Sequence, residues 1–325
     1  MTAYILRRLL YALPILMGVN LITFILFFVV NSPDDMARMQ LGTKRVTPEA
    51  VLAWKAERGY DRPLLFNGQA AGLERLTETI FFDKSLRLFV FDFGASDAGR
   101  NISHDIGQRM WPSLAVAVPV LLVGLLVNIS LALFLILFRG RTLDLAGVVL
   151  LVALLSISSL FYIIGGQFLL GKLLRLAPIS GYDQGLEAWK FLVLPVIIGV
   201  LGGIGSGARL YRTLFLEEAH KDYVRTARAK GLGERLVLFR HILGNALIPI
   251  LTGVVVVLPL LFMGSLLTEA FFGIPGLGSY TLDAINNQDF AIVRAMVFLG
   301  SVLYILGLML TDISYTMVDP RVRLT

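Results

Sequence analysis

Residues 113–138 read SLAVAVPVLLVGLLVNISLALFLILF, and this stretch decides the fold class because it contains no charged residue. A helix needs about 20 consecutive apolar residues to cross the hydrocarbon core of a bilayer, and this block is longer than that. A soluble domain carries roughly 25% charged residues, whereas this chain of 325 residues carries 16% and is 56% hydrophobic. The composition therefore predicts an integral membrane protein and excludes a soluble globule.

Similar apolar blocks lie before and after this one, and together they predict an all-α integral membrane protein with six transmembrane helices. The predicted spans are Leu9–Val30, Ser113–Phe138, Leu145–Leu170, Phe191–Ala208, Ala246–Thr268 and Ile292–Thr311. The first block is about twice as long as the apolar region of a signal peptide, and no small-residue cleavage site follows it. We therefore interpret it as an uncleaved span.

Basic residues in the short loops predict the orientation of the spans, because cytoplasmic loops carry the excess of Lys and Arg. The loop between the fourth and fifth spans contains eight of them: Arg209, Arg212, Lys221, Arg225, Arg228, Lys230, Arg235 and Arg240. Three further basic pairs alternate correctly with this loop along the chain: Arg7 and Arg8, Arg139 and Arg141, Arg321 and Arg323. Both termini are therefore predicted to be cytoplasmic. The same placement accounts for the net charge of +6 without a nucleic-acid partner.

The long segment 31–111 between the first two spans is predicted to be a small, partly helical external subdomain. Thr47 and Pro48 are typical of a helix start, with Thr as the cap and Pro in the first turn. Gly59 is typical of a helix end. We divide the chain into residues 1–30 with the first span, the external segment 31–111, and a five-helix core 112–325 with a cytoplasmic loop at 209–245.

Catalytic and cofactor chemistry has no candidate in this sequence. There is no cysteine, the histidines lie outside the predicted spans, and Gly166–Lys172 lacks the Ser or Thr that completes a phosphate-binding loop. The predicted spans contain no charged residue except Arg294, at the mouth of the sixth. An ion-coupled secondary carrier needs ionisable groups inside the membrane, so this alternative class is disfavoured. We predict no catalytic residue, no cofactor and no metal site.

Three glycines of the fourth span, Gly199, Gly203 and Gly207, share one helical face. Small residues at this spacing let helices approach closely in lipid. Close packing is the leading interpretation, and a position lining the substrate pathway is the alternative.

The basic loop reads EEAHKDYVRTARAKGLGERLVLFRHILGNALIP from Glu217. Acidic Glu217 and Glu218 suit a first turn, Arg228 and Lys230 suit a last turn, and Gly231 suits a helix end. Residues spaced by four predict one apolar stripe: Phe215, Ala219, Tyr223 and Ala227. A second short helix that leads into the fifth span is predicted around Leu236, Phe239 and Leu243. Such a basic amphipathic helix fits an anionic lipid surface and a cytosolic protein partner equally well.

The segment Arg225–Gly231 (RTARAKG) resembles the coupling loop of binding-protein-dependent ABC importer permeases, in the version of the dipeptide, oligopeptide and nickel branch. The pattern Arg-His-x-Leu-x-Asn-Ala of that branch is matched at 240–246. The start of the chain (YILRRLL, 4–10), GYDRP at 59–63, the turn from Glu269 to Asp289 and DISYTMVDPR at 312–321 are similar to the family in the same order. The stretch Phe66–Val90 departs most from it.

This resemblance implies a non-catalytic permease subunit that moves peptides by alternating access, with nickel chelates, opines or other small solutes as alternatives. It implies partners outside the chain: a second permease subunit, two cytosolic ATPase subunits and an external solute-binding protein. It implies a multi-pass protein of the bacterial cytoplasmic (inner) membrane. It also implies which residues couple transport to the ATPase: Tyr223, Arg225, Thr226, Ala227, Arg228, Ala229, Lys230 and Gly231. An exporter or a membrane scaffold is the remaining alternative.

Overall fold

The computed structural model describes residues 2–42, 46–183 and 185–318, which are helical and contain no β-strand. The predictions made for Arg321, Arg323 and the end of the 312–321 segment lie outside these residues. The α-helices are α1 Thr2–Phe24, α2 Pro33–Leu41, α3 Pro48–Arg58, α4 Glu74–Thr77, α5 Ile80–Lys84, α6 Ile102–Leu137, α7 Thr142–Leu155, α8 Ser159–Gly166, α9 Trp189–Ala219, α10 Asp222–Ala229, α11 Glu234–Leu236, α12 Gly244–Val257, α13 Leu266–Phe272, α14 Leu277–Asn286 and α15 Phe290–Val318. Short π and 3-10 turns extend or join several of them.

Five helical stretches of the described chain are long and apolar enough to cross a membrane: Leu6–Val30, Ile102–Leu137, Trp189–Ala219, Glu234–Met263 and Phe290–Ser314. A sixth span exists if α7 and the helix Ser159–Leu173 count as one. The all-α membrane fold is therefore confirmed.

The third predicted span is not one straight helix, because α7 and the helix that follows it meet at 90°. The hydroxyl of Ser156 donates to the carbonyl of Val152 (2.9 Å), closing the end of α7, and a new helix begins at Ser159. The three serines at this break, Ser156, Ser158 and Ser159, hardly change the mean hydropathy of the apolar block, so hydropathy does not reveal the bend. Gly166–Lys172 lies within the helical part, so it does not form a phosphate-binding loop.

Two helices extend well beyond the apolar blocks that predicted them. Helix α9 continues to Ala219, so Glu217 and Glu218 close a helix, and the prediction that they open one is wrong. Helix α11, the π turn Val237–Leu243 and α12 run on continuously, so the helical segment around Leu236 leads into the fifth span as predicted, without a break between them. Amphipathic turns at a membrane surface continue a helix without adding to its hydropathy, which explains why both helices exceed their apolar blocks.

The described chain forms two compact units. Unit 1 contains residues 2–108 and 280–306, and unit 2 contains residues 109–279 and 307–318. In unit 1, α1, α2, α3 and α5 contribute to one apolar core around Phe24, Phe28, Trp54 and Tyr60. The predicted helix start is confirmed, since the hydroxyl of Thr47 accepts from the amide of Ala50 (3.3 Å) and Pro48 is the first helical residue. Gly59 ends α3 in the left-handed conformation, as predicted (φ +67°).

In unit 2, α9 is the central helix and packs against α7, α8 and α12. A Cβ at Gly199 would lie 2.9 Å from Val120, and one at Gly207 would lie 2.6 Å from Asn128, so both glycines admit side chains of α6. These two contacts support close packing, whereas Gly203 faces open space. The closest approach of α9 to another backbone falls at Gly205, which the sequence does not single out: a Cβ there would meet the backbone of Leu155 at 2.7 Å.

Candidate coupling site

Helix α10 is an eight-residue helix set between the end of α9 and the start of α11. Asp222 lies in its first turn and Arg228 in its last, which complements the helix dipole at both ends. Gly231 follows in the left-handed conformation (φ +78°), and its amide donates to the carbonyl of Arg228 (2.9 Å). The predicted helix and its glycine end are therefore confirmed, with a start at Asp222.

The inner face of α10 is buried in an apolar cluster of unit 2. Val224 is fully buried and Ala227 is 4% exposed. Phe215 and Ala219 of α9 belong to the same cluster, together with residues of α6, the π turn and α12. Tyr223, which the predicted stripe placed inside, is 38% exposed. The turn at 220–221 shifts the helical register, so the spacing by four does not continue from α9 into α10.

Two polar contacts fasten α10 to its neighbours. The carboxylate of Glu218, at the end of α9, accepts from the Tyr223 hydroxyl and from Lys221 Nζ (2.5 Å). Burial, followed by the hydrogen bond to Glu218, raises the pKa of Tyr223 to about 12. At the other end of α10, Arg228 donates through Nε (2.8 Å) and Nη2 (3.3 Å) to the carboxylate of Glu234. Both ends of α10 are thus tied to helices that continue into candidate spans.

The end of α9 is itself held by two further contacts within unit 2. Arg212 forms a two-pronged pair with Asp144 at the start of α7, with Nε–Oδ1 at 3.0 Å and Nη2–Oδ2 at 2.9 Å. Arg139 Nη2 lies 3.1 Å from His220 Nε2. These contacts connect α10 and α9 to the turn between α6 and α7.

The outer face of α10 is open to solvent. Of the residues predicted to couple to the ATPase, all but one are exposed: Tyr223, Arg225, Thr226, Arg228, Ala229, Lys230 and Gly231. Ala227 is the exception and belongs to the inner face. The helix therefore combines an apolar face seated on the bundle with a polar, mostly basic face that lacks an intramolecular cover in the described chain.

Sequence reasoning missed three residues of this site. Val224 is the centre of the buried face, Glu218 holds Tyr223, and Glu234 holds Arg228. An amphipathic analysis of 222–229 alone would have selected Val224 and Ala227, which are three residues apart and share a helical face. No pattern in the sequence identifies the partners of the two carboxylates.

Comparisons with known proteins define the class of this all-helical membrane protein. Residues 129–324 match the family described as "Binding-protein-dependent transport system inner membrane component". Residues 1–83 match its N-terminal region, "Binding-prot-dependent transport system membrane comp, N-term", which includes most of the 66–90 stretch. The chain belongs to this family. It is accordingly a multi-pass inner-membrane permease of an ABC importer, working with an ATPase and a solute-binding protein.

Full-length relatives support the same assignment. A probable peptide ABC transporter permease protein of Sinorhizobium fredii is 30% identical, over 99% of this chain and 100% of the relative. A putative peptide transport system permease protein of Brucella abortus is 33% identical over 99% of each chain. A glutathione transport system permease protein of Salmonella typhimurium is 28% identical over 99% of each. The family decides between the classes left open by the sequence, and the ion-coupled carrier is not supported.

Proposed function

We propose that this permease imports peptides and that α10 is the helix through which a cytosolic ATPase subunit drives it. The proposed coupling role of α10 rests on the apolar contacts that hold it against its neighbours, which we call the seat of α10. Val224 and Ala227 are buried between α9 and the helix that begins at Glu234, while the opposite face of α10 is exposed. A partner that grips the exposed face can therefore displace two spans through this apolar contact.

The proposed mechanism is alternating access in a complex with a second, related permease subunit, two ATPase subunits and an external binding protein. A ligand shifts an equilibrium between two conformations only if it binds them with different affinity. The ATPase must then hold α10 differently with and without ATP. The basic loop 209–245 and both termini lie on the cytoplasmic side in this proposal, as the distribution of Lys and Arg indicates.

Single cysteines test the docking, because the natural chain contains none. Ala229→Cys lies on the exposed face and should crosslink to the ATPase subunit, with a yield that changes when ATP is added. Ala227→Cys is the matched control on the same helix, and its burial should prevent the crosslink. Equal yields at both positions, or none at Ala229→Cys in an active complex, would refute docking through the outer face.

A cysteine in the segment 31–111 tests orientation in the same background. Leu73 is 82% exposed, so Leu73→Cys should react with a membrane-impermeant thiol reagent added outside intact cells. Ala229→Cys should react only after the membrane is opened. The reverse pattern would invert the proposed topology.

Peptide transport is proposed because relatives that align over the whole chain are called peptide or glutathione permeases. The test is ATP-dependent uptake of a labelled tripeptide into proteoliposomes that contain the full complex and its binding protein. Unlabelled peptides should compete, whereas nickel chelates and opines should not. Competition by a chelate or an opine alone would move the substrate to that alternative within the same class.

A further inference from the structure

Unit 1 contains a cavity of about 510 Å³ that the coupling mechanism does not use. It is lined by α3, α5, the segment 92–99 and the first turns of α15. Four cationic and four acidic side chains are among its lining residues. Empty packing voids are apolar, whereas a cavity lined by converging charged groups can hold a polar occupant.

Three of the four cations in the cavity are already neutralised by its own carboxylates. Arg58 Nε lies 3.0 Å from Asp97 Oδ1, with Glu57 as its second partner. Lys84 Nζ lies 3.1 Å and Arg87 Nη2 lies 3.2 Å from Asp83. Burial raises the pKa of Asp83, but these cations outweigh it and hold the pKa below its ordinary value.

Arg294 is the fourth cation, and it differs from the others. It is only 6% exposed, its Nε donates to the carbonyl of Phe290 (3.3 Å), and its guanidinium lies over the ring of Phe28 (4.6 Å). Its Nη1 is buried without a hydrogen-bond partner. Within the described residues no carboxylate lies in ion-pair distance of it. Asp289, close in sequence, instead accepts from the amides of Asp97 and Ile292.

We propose that this cavity binds a small ligand through a carboxylate group that pairs with Arg294. A buried cation with an unpaired donor loses its hydration without compensation, and an anionic ligand supplies the missing partner. The planar fork of a guanidinium matches a carboxylate with two parallel hydrogen bonds. Nη1 is inaccessible to water, so the pair forms when the Arg294 side chain turns toward the cavity that it lines.

The ion pairing inside the cavity, and not its total charge, favours a monoanion. Its four acidic and four cationic groups are equal in number, but the acidic groups lie against Arg58, Lys84 and Arg87, which leaves Arg294 as the lining cation without a short ion pair. One carboxylate satisfies Arg294, whereas a dianion such as phosphate would add repulsion from Asp97 and Asp83. The volume accommodates a group of the size of an amino acid or the end of a short peptide, consistent with small-molecule sites of about 300–1,000 Å³.

Trp54 is a built-in reporter for this site. Its ring contacts that of Tyr60 (centroids 5.6 Å apart), which lines the cavity and in turn contacts Phe28, the ring beneath Arg294. The test uses the full chain in lipid nanodiscs with Trp111→Phe and Trp189→Phe, so that emission comes from Trp54. The probes are N-acetylglycine and its uncharged amide, N-acetylglycinamide.

N-acetylglycine should change the Trp54 emission with saturation, and the amide should not. Arg294→Gln should weaken this response at least tenfold. Arg100→Gln, in unit 1 but outside the lining of the cavity and 3.7 Å from its partner Asp105, should keep it within about twofold. If Arg294→Gln does not fold, Arg294→Lys, which keeps the charge but loses the fork, should show an intermediate loss. An equal response to both probes, an unchanged response in Arg294→Gln, or no response in the parent chain overturns the proposal.

Discussion

Two turns of unit 2 follow long helices and differ in what holds them in place. The turn that carries α10, residues 220–233, is seated by apolar side chains, with its polar contacts at the edges. The turn that carries α13, residues 264–279, also packs Phe272 and Ile274 into an apolar cluster, but it is organised around one buried carboxylate, Glu269, which is 1% exposed. The first arrangement depends on the apolar surface area that is buried, and the second depends in addition on the direction of individual hydrogen bonds.

The Glu269 carboxylate joins three parts of the chain. It accepts from the amide of Ser265 at the start of α13 (3.2 Å) and from the amide of Ser279 in α14 (3.0 Å). The hydroxyl of Ser113 in α6 is a further partner, and it accepts in turn from the amide of Leu277 (2.8 Å). Gly264 and Gly276 leave the space for the carboxylate, since a Cβ at either would lie within 2.3 Å of it.

This difference indicates which of the two turns can move with a bound partner. Apolar contacts are non-directional and tolerate small displacements, so α10 can transmit a push from a partner while its seat stays intact. A buried carboxylate that satisfies several backbone amides has one favourable geometry, and any departure leaves polar groups unpaired. The α13 turn is therefore suited to be a fixed point of the unit.

The largest predicted effect comes from Glu269→Ala, which would leave the amides of Ser265 and Ser279 and the hydroxyl of Ser113 without their acceptor. Each unmet buried group costs about 1–3 kcal/mol, and the effects are not additive. We expect a loss of about 3 kcal/mol in the free energy of unfolding in mixed micelles. Glu269→Gln keeps the volume and one acceptor oxygen and should lose less than half of that. A loss below 1 kcal/mol in Glu269→Ala would contradict the central role of this residue.

The pH dependence of the free energy of unfolding tests the burial of Glu269 independently. Burial raises the pKa of Glu269 above its ordinary value of 4.5, although its hydrogen bonds oppose the shift. The folded state then binds the proton more tightly than the unfolded chain does. Between 4.5 and the raised pKa, the contribution of Glu269 to the free energy of unfolding should therefore fall as the pH rises. Subtracting the pH profile of Glu269→Gln from that of the parent isolates this contribution, and a difference that rises with pH would contradict the assignment.

A smaller effect is expected from Val224→Ala, which removes two methyl groups from the apolar seat of α10. The loss should be about 2 kcal/mol if the seat stays in place, by comparison with other truncations of fully buried aliphatic residues. Because this face carries the proposed coupling, ATP-driven uptake should fall more than substrate binding does. Thr226→Ala, on the exposed face of the same helix, is the control and should leave the free energy of unfolding unchanged within about 0.5 kcal/mol.

The sequence predicts much of the structure of the α10 turn and little of the structure of the α13 turn. Hydropathy and charge identified the bundle and the loop, and the glycine signal placed the end of α10 correctly. The predicted start of α10 is wrong, because the predicted fourth span stops at Ala208 and two acidic residues then indicate a new first turn, whereas α9 continues through them to Ala219. The resemblance singled out Glu269 and Gly276 without a role. Their role depends on contacts with Ser113, more than a hundred residues away, and no local periodicity encodes such a contact.

The pairing of Asp144 with Arg212 has the same origin. It depends on which helices become neighbours, and an apolar block carries little information about its neighbours. The cavity of unit 1 likewise draws residues from the segment 57–99 and from α15. Arg294 stood out in the sequence as the one charge in a predicted span, but its missing partner is visible only in three dimensions.

The smallest predicted effect concerns the pair Arg228–Glu234, which is the polar edge of the α10 seat. Both side chains are about half exposed (42% and 65%), so water competes with the pair and side-chain entropy opposes it. A double-mutant cycle with Arg228→Gln and Glu234→Gln should give a coupling free energy of about 0.5 kcal/mol. The pair Arg225–Asp222, at 3.5 Å and still more exposed, is the matched control and should give a value close to zero. If the Arg228–Glu234 coupling exceeded the loss from Val224→Ala, the seat of α10 would be polar, and the contrast between the two turns would fail.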